Sequence, residues 1–221
     1  YSSTRFPGKP LVKIKGKPMV QWVYEAASKS KLLDEVIIAT DDKRISACAG
    51  TFAAKVVMTP ECNSGTDRLA FVVKKINCDI VINIQGDEPL IKAEMIDLAI
   101  RPLLENKNVL VSTLATNFES ETEKNNPNSV KVILDKDNYA IYFSRLPLPR
   151  SLKHIGLYVY QKDFLLKFAR MKQTPLELAE KLEQLRILEN GYKIYVAKTK
   201  HKTLGVDTKS DLNKVKKWLE K

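Results

Sequence analysis

The chain has 221 residues, 44% of them hydrophobic, with 37 Lys plus Arg against 26 Asp plus Glu and a net charge of +11. That apolar content excludes global disorder, and no apolar run approaches the roughly 20 residues that span a bilayer. The basic excess points to anionic partners, of which polyanionic small molecules fit best: Lys13, Lys15, Lys17 and the lysines of 198–202 and 214–221 alternate with apolar positions, as solvated faces do, so nucleic acid is not expected. Cys48, Cys62 and Cys78 lie far apart without CxxC spacing and read as reduced thiols of a cytoplasmic protein; two histidines are too few for a His-rich metal centre. The Tyr-Ser-Ser-Thr-Arg start carries no secretory leader pattern.

Residues 1–11, YSSTRFPGKPL, read as a loop that wraps an anion, with Gly8 freeing backbone N–H groups beside Ser2, Ser3, Arg5 and Lys9. It is not the GxxxxGK[ST] phosphate loop. Such a loop needs a strand behind it, so a first strand is expected ahead of Tyr1. Gly16 and Pro18 mark a turn and a helix start, and the spacing of Met19, Val20, Val23, Ala26 and Ala27 predicts a helix to about Lys31. Strands follow at 35–40 and 55–58, separated by a helix over 43–51 that Asp42 caps. Alternating strand and helix implies a parallel sheet covered on both faces. The polar loop 62–68, CNSGTDR, leads into a helix over 66–76. Ser64, Gly65 and the first helical N–H groups suit a plain N-cap, or a base edge or phosphate.

Residues 79–89, DIVINIQGDEP, are the organising stretch. Ile80, Val81, Ile82 and Ile84 read as a buried strand of a parallel sheet, stopped by Gly86 and Pro89, which leaves Asp87 and Glu88 just past its carboxyl end. That is where ligands bind in open α/β sheets, and a carboxylate there suits magnesium held against phosphates; an acidic turn capping the next helix is the plainer alternative. A helix over 93–105, disturbed at Pro102, and a strand over 109–115 follow. Residues 118–128 are polar and read as an exposed connection, and 130–134 with 139–143 as a hairpin around Asp135-Lys-Asp-Asn138. Residues 144–152 are a Pro-rich loop. Residues 153–160, KHIGLYVY, are a strand with His154, Gly156, Tyr158 and Tyr160 on one face. Helices are predicted over 164–171 and 175–190, the second with Leu178, Leu182, Leu185 and Leu188 inside and Glu183, Gln184 and Arg186 facing water. A strand over 192–197, a tight loop at Gly205-Val206-Asp207 and a last helix over 211–220, begun by Thr208 or Ser210, complete the chain.

YSSTRFPGKPL, ATDD, NSGTDR, NIQGDEP, DNYAIYFSR, KHIGLYVY, LEQLRILENG and GVDT occur in the order of the 3-deoxy-D-manno-octulosonate (Kdo) cytidylyltransferase family, which the chain resembles over its whole length. The resemblance implies one Rossmann-like α/β nucleotidyltransferase domain over 1–221, with a mostly parallel sheet flanked by helices. An inserted hairpin and mixed-strand subregion at about 118–160 would serve sugar binding and dimerisation. It further implies magnesium, a cytoplasmic homodimer, and the reaction of CTP and Kdo to CMP-Kdo and diphosphate for the lipopolysaccharide of Gram-negative-type bacteria. By motif, Ser3, Arg5 and Lys9 would hold the CTP phosphates, and Ser64, Gly65 and Arg68 would surround the cytidine. Asp87 and Asp207 would ligate magnesium. Gln85, Arg145, His154, Tyr158, Glu183 and Gln184 would line the Kdo pocket, with His154 as a hydrogen-bond donor to the sugar in preference to a general base. The family also carries a strand ending in Pro-Ala-Arg ahead of the position of Tyr1, and a longer connection than 146–152 before KHIGLY. Rival readings are a synthetase for a related sugar acid, such as an amino analogue of Kdo, and a non-catalytic nucleic-acid binder.

Overall fold

Short β-branched runs alternate with amphipathic stretches along the chain. The computed structural model describes residues 6–62 and 64–219, and the chain divides into two compact units. Residues 1–76, 84–97 and 202–221 form one, and residues 77–83 and 98–201 the other.

The first unit opens with a 3-10 turn, Lys9–Leu11, entered through Gly8 at φ 70°. A two-residue hairpin, β1 (Lys13–Ile14) and β2 (Lys17–Pro18), follows, turning at Gly16 with φ 81°. These left-handed positions suit glycine. Helix α1 (Met19–Ala27) buries Met19, Val20, Val23 and Ala27, and stops a turn before the predicted end. Strand β3 (Ile37–Thr40), helix α2 (Lys43–Gly50) and strand β4 (Lys55–Met58) make a βαβ unit whose strands pair in parallel, with Asp42 accepting from Arg44 N as cap. Helix α3 (Gly65–Val73) is N-capped by Ser64, whose Oγ accepts from Asp67 N at 3.1 Å. Ile14, Met19, Val206, Leu212 and Val215 pack as the core of this unit.

The second unit is built on a six-stranded mixed sheet. Strand β5 (Ile80–Asn83) is the run of the organising stretch; helix α4 (Ala93–Glu105) continues through Pro102. Strand β6 (Val111–Thr116) is buried at all six positions. Residues 118–128, expected as an open connection, contain a short helix α5 (Glu121–Asn125), because Ser120 Oγ accepts from Glu123 N at 3.1 Å. The predicted hairpin forms as β7 (Lys131–Leu134) and β8 (Ala140–Ser144), with Asn138 at φ 64° in its turn. Strand β9 (Leu152–Gln161) is the longest. Helices α6 (Lys162–Phe168), α7 (Pro175–Glu180) and α8 (Leu185–Glu189) and strand β10 (Tyr195–Lys198) follow. The final helix, α9 (Lys209–Leu219), belongs to the first unit.

The sheet order is β10-β6-β9-β7-β8, with β5 also on β9. β10 pairs in parallel with β6, while β9 runs antiparallel to β5, β6 and β7. Thus β5, expected inside a parallel ladder, has an antiparallel neighbour: β5, β6 and β10 share one direction and β9 is inserted against them. Apolar continuity reports burial on two faces and not the sense of the neighbouring strand.

The helix expected over 175–190 is broken. Lys181 takes φ 54°, ends α7 and lets the chain turn before α8. Leu178, expected inside, is 58% exposed, whereas Leu182 and Leu185 are buried. Arg186, expected in water, is buried: its guanidinium forks onto Glu177 at 2.7 and 2.5 Å and lies 5.1 Å over the Phe168 ring.

Candidate active site

Gly8 turns the N-terminal loop so that the Lys9 side chain runs inward. Its ammonium contacts the Asp87 carboxylate and reaches Asp207 Oδ1 at 3.3 Å. Asp87 lies just past β5, and Asp207 just before α9, where Asp211 Oδ2 accepts from Thr208 N at 2.9 Å and Thr208 Oγ1 accepts from Asp211 N at 3.2 Å in a reciprocal cap. Two carboxylates 120 positions apart in sequence therefore converge on one cation, all three side chains between 13% and 34% exposed. Burial would lower the Lys9 pKa, but the charges and hydrogen bonds of Asp87 and then Asp207 outweigh it and hold the group protonated. The loops are tied by main chain, Val206 N donating to Asp87 O at 2.8 Å. The neighbouring Glu88 faces the second loop: its Oε2 accepts from Thr203 Oγ1 at 3.1 Å.

The donor set fits a hard divalent cation. Carboxylate oxygens from two strand-end loops are what magnesium takes, and their meeting point already accommodates a positive charge. Among the described residues no group of three or more His, Cys, Asp or Glu could hold a metal ion.

Ser3 and Arg5 lie outside the described residues. Ser64 is the N-cap of α3, the plainer of its two readings, and Gly65 is the first helical residue. Arg68 is held on its own unit, donating to Thr59 Oγ1 at 2.5 Å and Asp41 Oδ2 at 3.0 Å; that contact, outweighing slight desolvation, lowers the Asp41 pKa. Gln85 is exposed, its carbonyl accepting from Glu88 N at 3.2 Å.

The other expected sugar residues belong to the second unit. His154 is buried, edge-on to Phe143 and 5.4 Å from the Tyr158 ring. Desolvation lowers its pKa to about 3, so the imidazole is neutral. Its Nε2 lies 2.9 Å from Thr113 Oγ1, which also contacts Leu157 O at 2.7 Å. The single hydroxyl proton goes to the shorter contact, so Nε2–H donates to Thr113 and Nδ1 is left as an acceptor; the tautomer follows from this network. In this tautomer the remaining ring nitrogen is an acceptor. The Tyr158 hydroxyl is buried without a hydrogen-bond partner, and desolvation, then Tyr160 and Glu183, raise its pKa well above the usual value. A native structure rarely strands such a group, and a ligand hydroxyl or carboxylate would satisfy it.

Arg145, expected to line the sugar pocket, is held by main chain. Its guanidinium donates to three main-chain carbonyls, of Glu180, Pro127 and Lys181, at 3.1, 3.2 and 3.3 Å. It thereby caps α7 and fixes the turn leading to Glu183, which lies 3.5 Å from Arg186, and to the buried Gln184. Sequence reasoning missed Lys131 and Glu180. Lys131 is fully buried and donates to the carbonyls of Asn126 and Arg145 at 2.7 and 2.9 Å. Glu180 accepts from Ser144 Oγ and Arg145 N at 2.7 and 2.9 Å. A lysine among Ser, Val and Val gives no sign of burial.

Residues 1–194 match the family described as Cytidylyltransferase. A 3-deoxy-manno-octulosonate cytidylyltransferase of Geotalea uraniireducens (strain Rf4) is 51% identical over 241 residues, covering 100% of this chain and 96% of that protein. The protein of the same name from Geobacter metallireducens is 51% identical over 235 residues, covering 97% and 92%. A solved CMP:2-keto-3-deoxy-manno-octonic acid synthetase complexed with CTP superposes with a TM-score of 0.93 at 39% identity, covering 100% of this chain and 95% of the other. The α/β frame is that of a Rossmann-like nucleotidyltransferase. The chain belongs to the cytidylyltransferase family and, within it, to the 3-deoxy-manno-octulosonate cytidylyltransferases.

Proposed function

We propose that this protein is a nucleotidyltransferase that joins CMP from CTP to 3-deoxy-D-manno-octulosonate, with release of diphosphate. The observation that carries the reading is the convergence of Asp87 and Asp207 on the Lys9 ammonium; the names of the relatives supply the substrates. The anomeric hydroxyl oxygen of the sugar forms a bond to the α-phosphorus of CTP, and the bond from that phosphorus to the bridging oxygen breaks in line. Diphosphate leaves and the hydroxyl proton passes to water. Asp87 and Asp207 would hold magnesium, which would supply charge neutralisation at the phosphate oxygens and Lewis acidity at the attacking hydroxyl. Lys9 shifts onto the leaving diphosphate as a point charge, and by motif Arg5 and Ser3 would also hold the CTP phosphates. Ser64, Gly65 and Arg68 flank the cytidine. Gln85, His154, Tyr158, Glu183 and Gln184 hold the sugar, the stranded Tyr158 hydroxyl finding its partner there, and Arg145 holds the turn that carries the last two.

The whole chain acts as one nucleotidyltransferase domain and pairs as a homodimer through the 118–160 subregion. Ile141, 58% exposed on the terminal strand β8, supports that assembly. The product serves lipopolysaccharide synthesis in the cytoplasm, where three free thiols are at home.

The test is diphosphate release with CTP and a panel of sugar acids: Kdo, its amino analogue and sialic acid. Kdo is expected to give the highest kcat/KM, and turnover should require magnesium. Asp87→Asn should lose about 10²-fold or more in rate, several kcal/mol of transition-state stabilisation. Near-normal turnover of that variant in saturating magnesium would refute the role; preference for another acid would reassign the substrate.

A further inference from the structure

We propose that Glu88 is a positioning residue that sets the separation of the Asp87 and Asp207 carboxylates. The inference rests on the reading of those two side chains as the metal pair. Asp87 and Glu88 are neighbours in sequence with different surroundings. Asp87 contacts Lys9, whereas the Glu88 carboxylate reaches the loop that delivers Asp207. Thr203, 2% exposed, donates to Glu88 Oε2 at 3.1 Å. A Cβ at Gly205 would stand 3.0 Å from Glu88 Oε1 and 3.5 Å from its Cδ, so the carboxylate lies against bare backbone. Immediately beyond, Val206 N donates to Asp87 O at 2.8 Å, and the Val206 side chain is sealed in the core with Ile14, Met19, Leu212 and Val215.

The 203–207 loop is thus pinned to residues 87 and 88 at three points, and Asp207 is the next side chain out. A metal pair works only while its oxygens keep the separation the cation demands, and magnesium is strict about it. Glu88 acts as the spacer. A methyl group at Gly205 would press on the Glu88 carboxylate, which would have to give by a few tenths of an ångström against its bond from Thr203.

The experiment measures manganese binding to the full-length enzyme by electron paramagnetic resonance, with CTP present, alongside the thermal midpoint. Glu88→Ala and Gly205→Ala should each weaken manganese binding by about tenfold, the range for groups that orient metal ligands. Glu88→Gln keeps the length and an acceptor oxygen and should stay within about threefold of wild type, the rescue expected of a spacer. The double variant should bind no worse than Glu88→Ala, since the added methyl then no longer meets the Glu88 carboxylate. Thr203→Val, which removes only the donor, gives a milder variant should the others fold poorly, and should weaken binding by a few fold. If Glu88→Gln weakens binding as much as Asp87→Asn, Glu88 is itself a ligand and the proposal falls. A lowered thermal midpoint with unchanged manganese affinity of the folded protein would leave Glu88 merely structural and also overturn it. If Asp87→Asn and Asp207→Asn bind manganese normally, the metal pair fails first and the spacer with it.

Discussion

At His154, burial alone carries the imidazole pKa from 6.5 to about 3, and linkage fixes the sign of the consequence. Above pH 6.5 folded and unfolded chains are both neutral there, and the group contributes no pH dependence. As pH falls from 6.5 towards 3, the unfolded chain takes up a proton that the folded chain refuses, and stability drops by about 1.4 kcal/mol per pH unit. Urea midpoints of wild type and His154→Gln between pH 4 and 7 should therefore converge near neutrality and separate in acid, with the wild type losing more. Parallel curves would mean that the ring titrates normally. By the same logic the rate profile should show no limb near pH 6.5 that disappears in the variant. Individual residues differed in how much the sequence revealed. Asp87 and Asp207 stood out because Gly86, Pro89 and Gly205 mark strand ends and tight loops, where a carboxylate serves chemistry or a cap. That both reach Lys9 is a fact of long-range closure: the motif resemblance anticipated that the two carboxylates meet, but with Lys9 assigned to the phosphates. The Glu88 contacts gave no signal, because Thr203 and Gly205 are ordinary loop residues until the chain brings them near.

Among the elements, those with strong periodicity or a cap were legible: β3, α2, β4 and the β7–β8 hairpin form where predicted. The misreading at 175–190 has a local cause. Residues 175–189 satisfy a helical pattern throughout, yet Lys181 adopts φ 54° and Arg145 takes the carbonyls of Glu180 and Lys181, which ends α7 by a tertiary contact invisible to propensity. The break turns Arg186 inward to Glu177, each under 9% exposed, and pins α8 to α7 through a buried ion pair. Removing one partner leaves a buried charge uncompensated, so Glu177→Ala should cost about 3–5 kcal/mol in chemical denaturation. The paired replacement Glu177→Leu with Arg186→Met removes both charges and should cost clearly less than the sum of the single changes. Additive losses would mean that the two side chains do not depend on each other. The same pairing orders the turn that carries Glu183 and Gln184, so Glu177→Ala should raise the KM for the sugar more than that for CTP.

For the whole molecule the basic excess finds a use in the substrates. CTP and a sugar carboxylate are both anions, and a net charge of +11 attracts them over distances that salt can screen, about 10 Å at 0.1 M. Encounter is then the salt-sensitive step, whereas groups already in contact with substrate are screened much less. Raising sodium chloride from about 0.02 to 0.3 M should therefore lower kcat/KM for CTP several fold, with a smaller change in kcat. A nucleic-acid binder of the same charge behaves otherwise: its affinity for a duplex falls as a power of the salt concentration set by the number of phosphates contacted, and it shows no magnesium-dependent turnover. Measuring both on one preparation separates the readings. Salt-sensitive, magnesium-dependent diphosphate release with weak duplex binding at 0.15 M places the charge at the service of small anions. A flat kcat/KM with tight duplex binding would assign the lysines to a polymer, and would leave the Asp87–Asp207 pair without the substrate that its geometry suits.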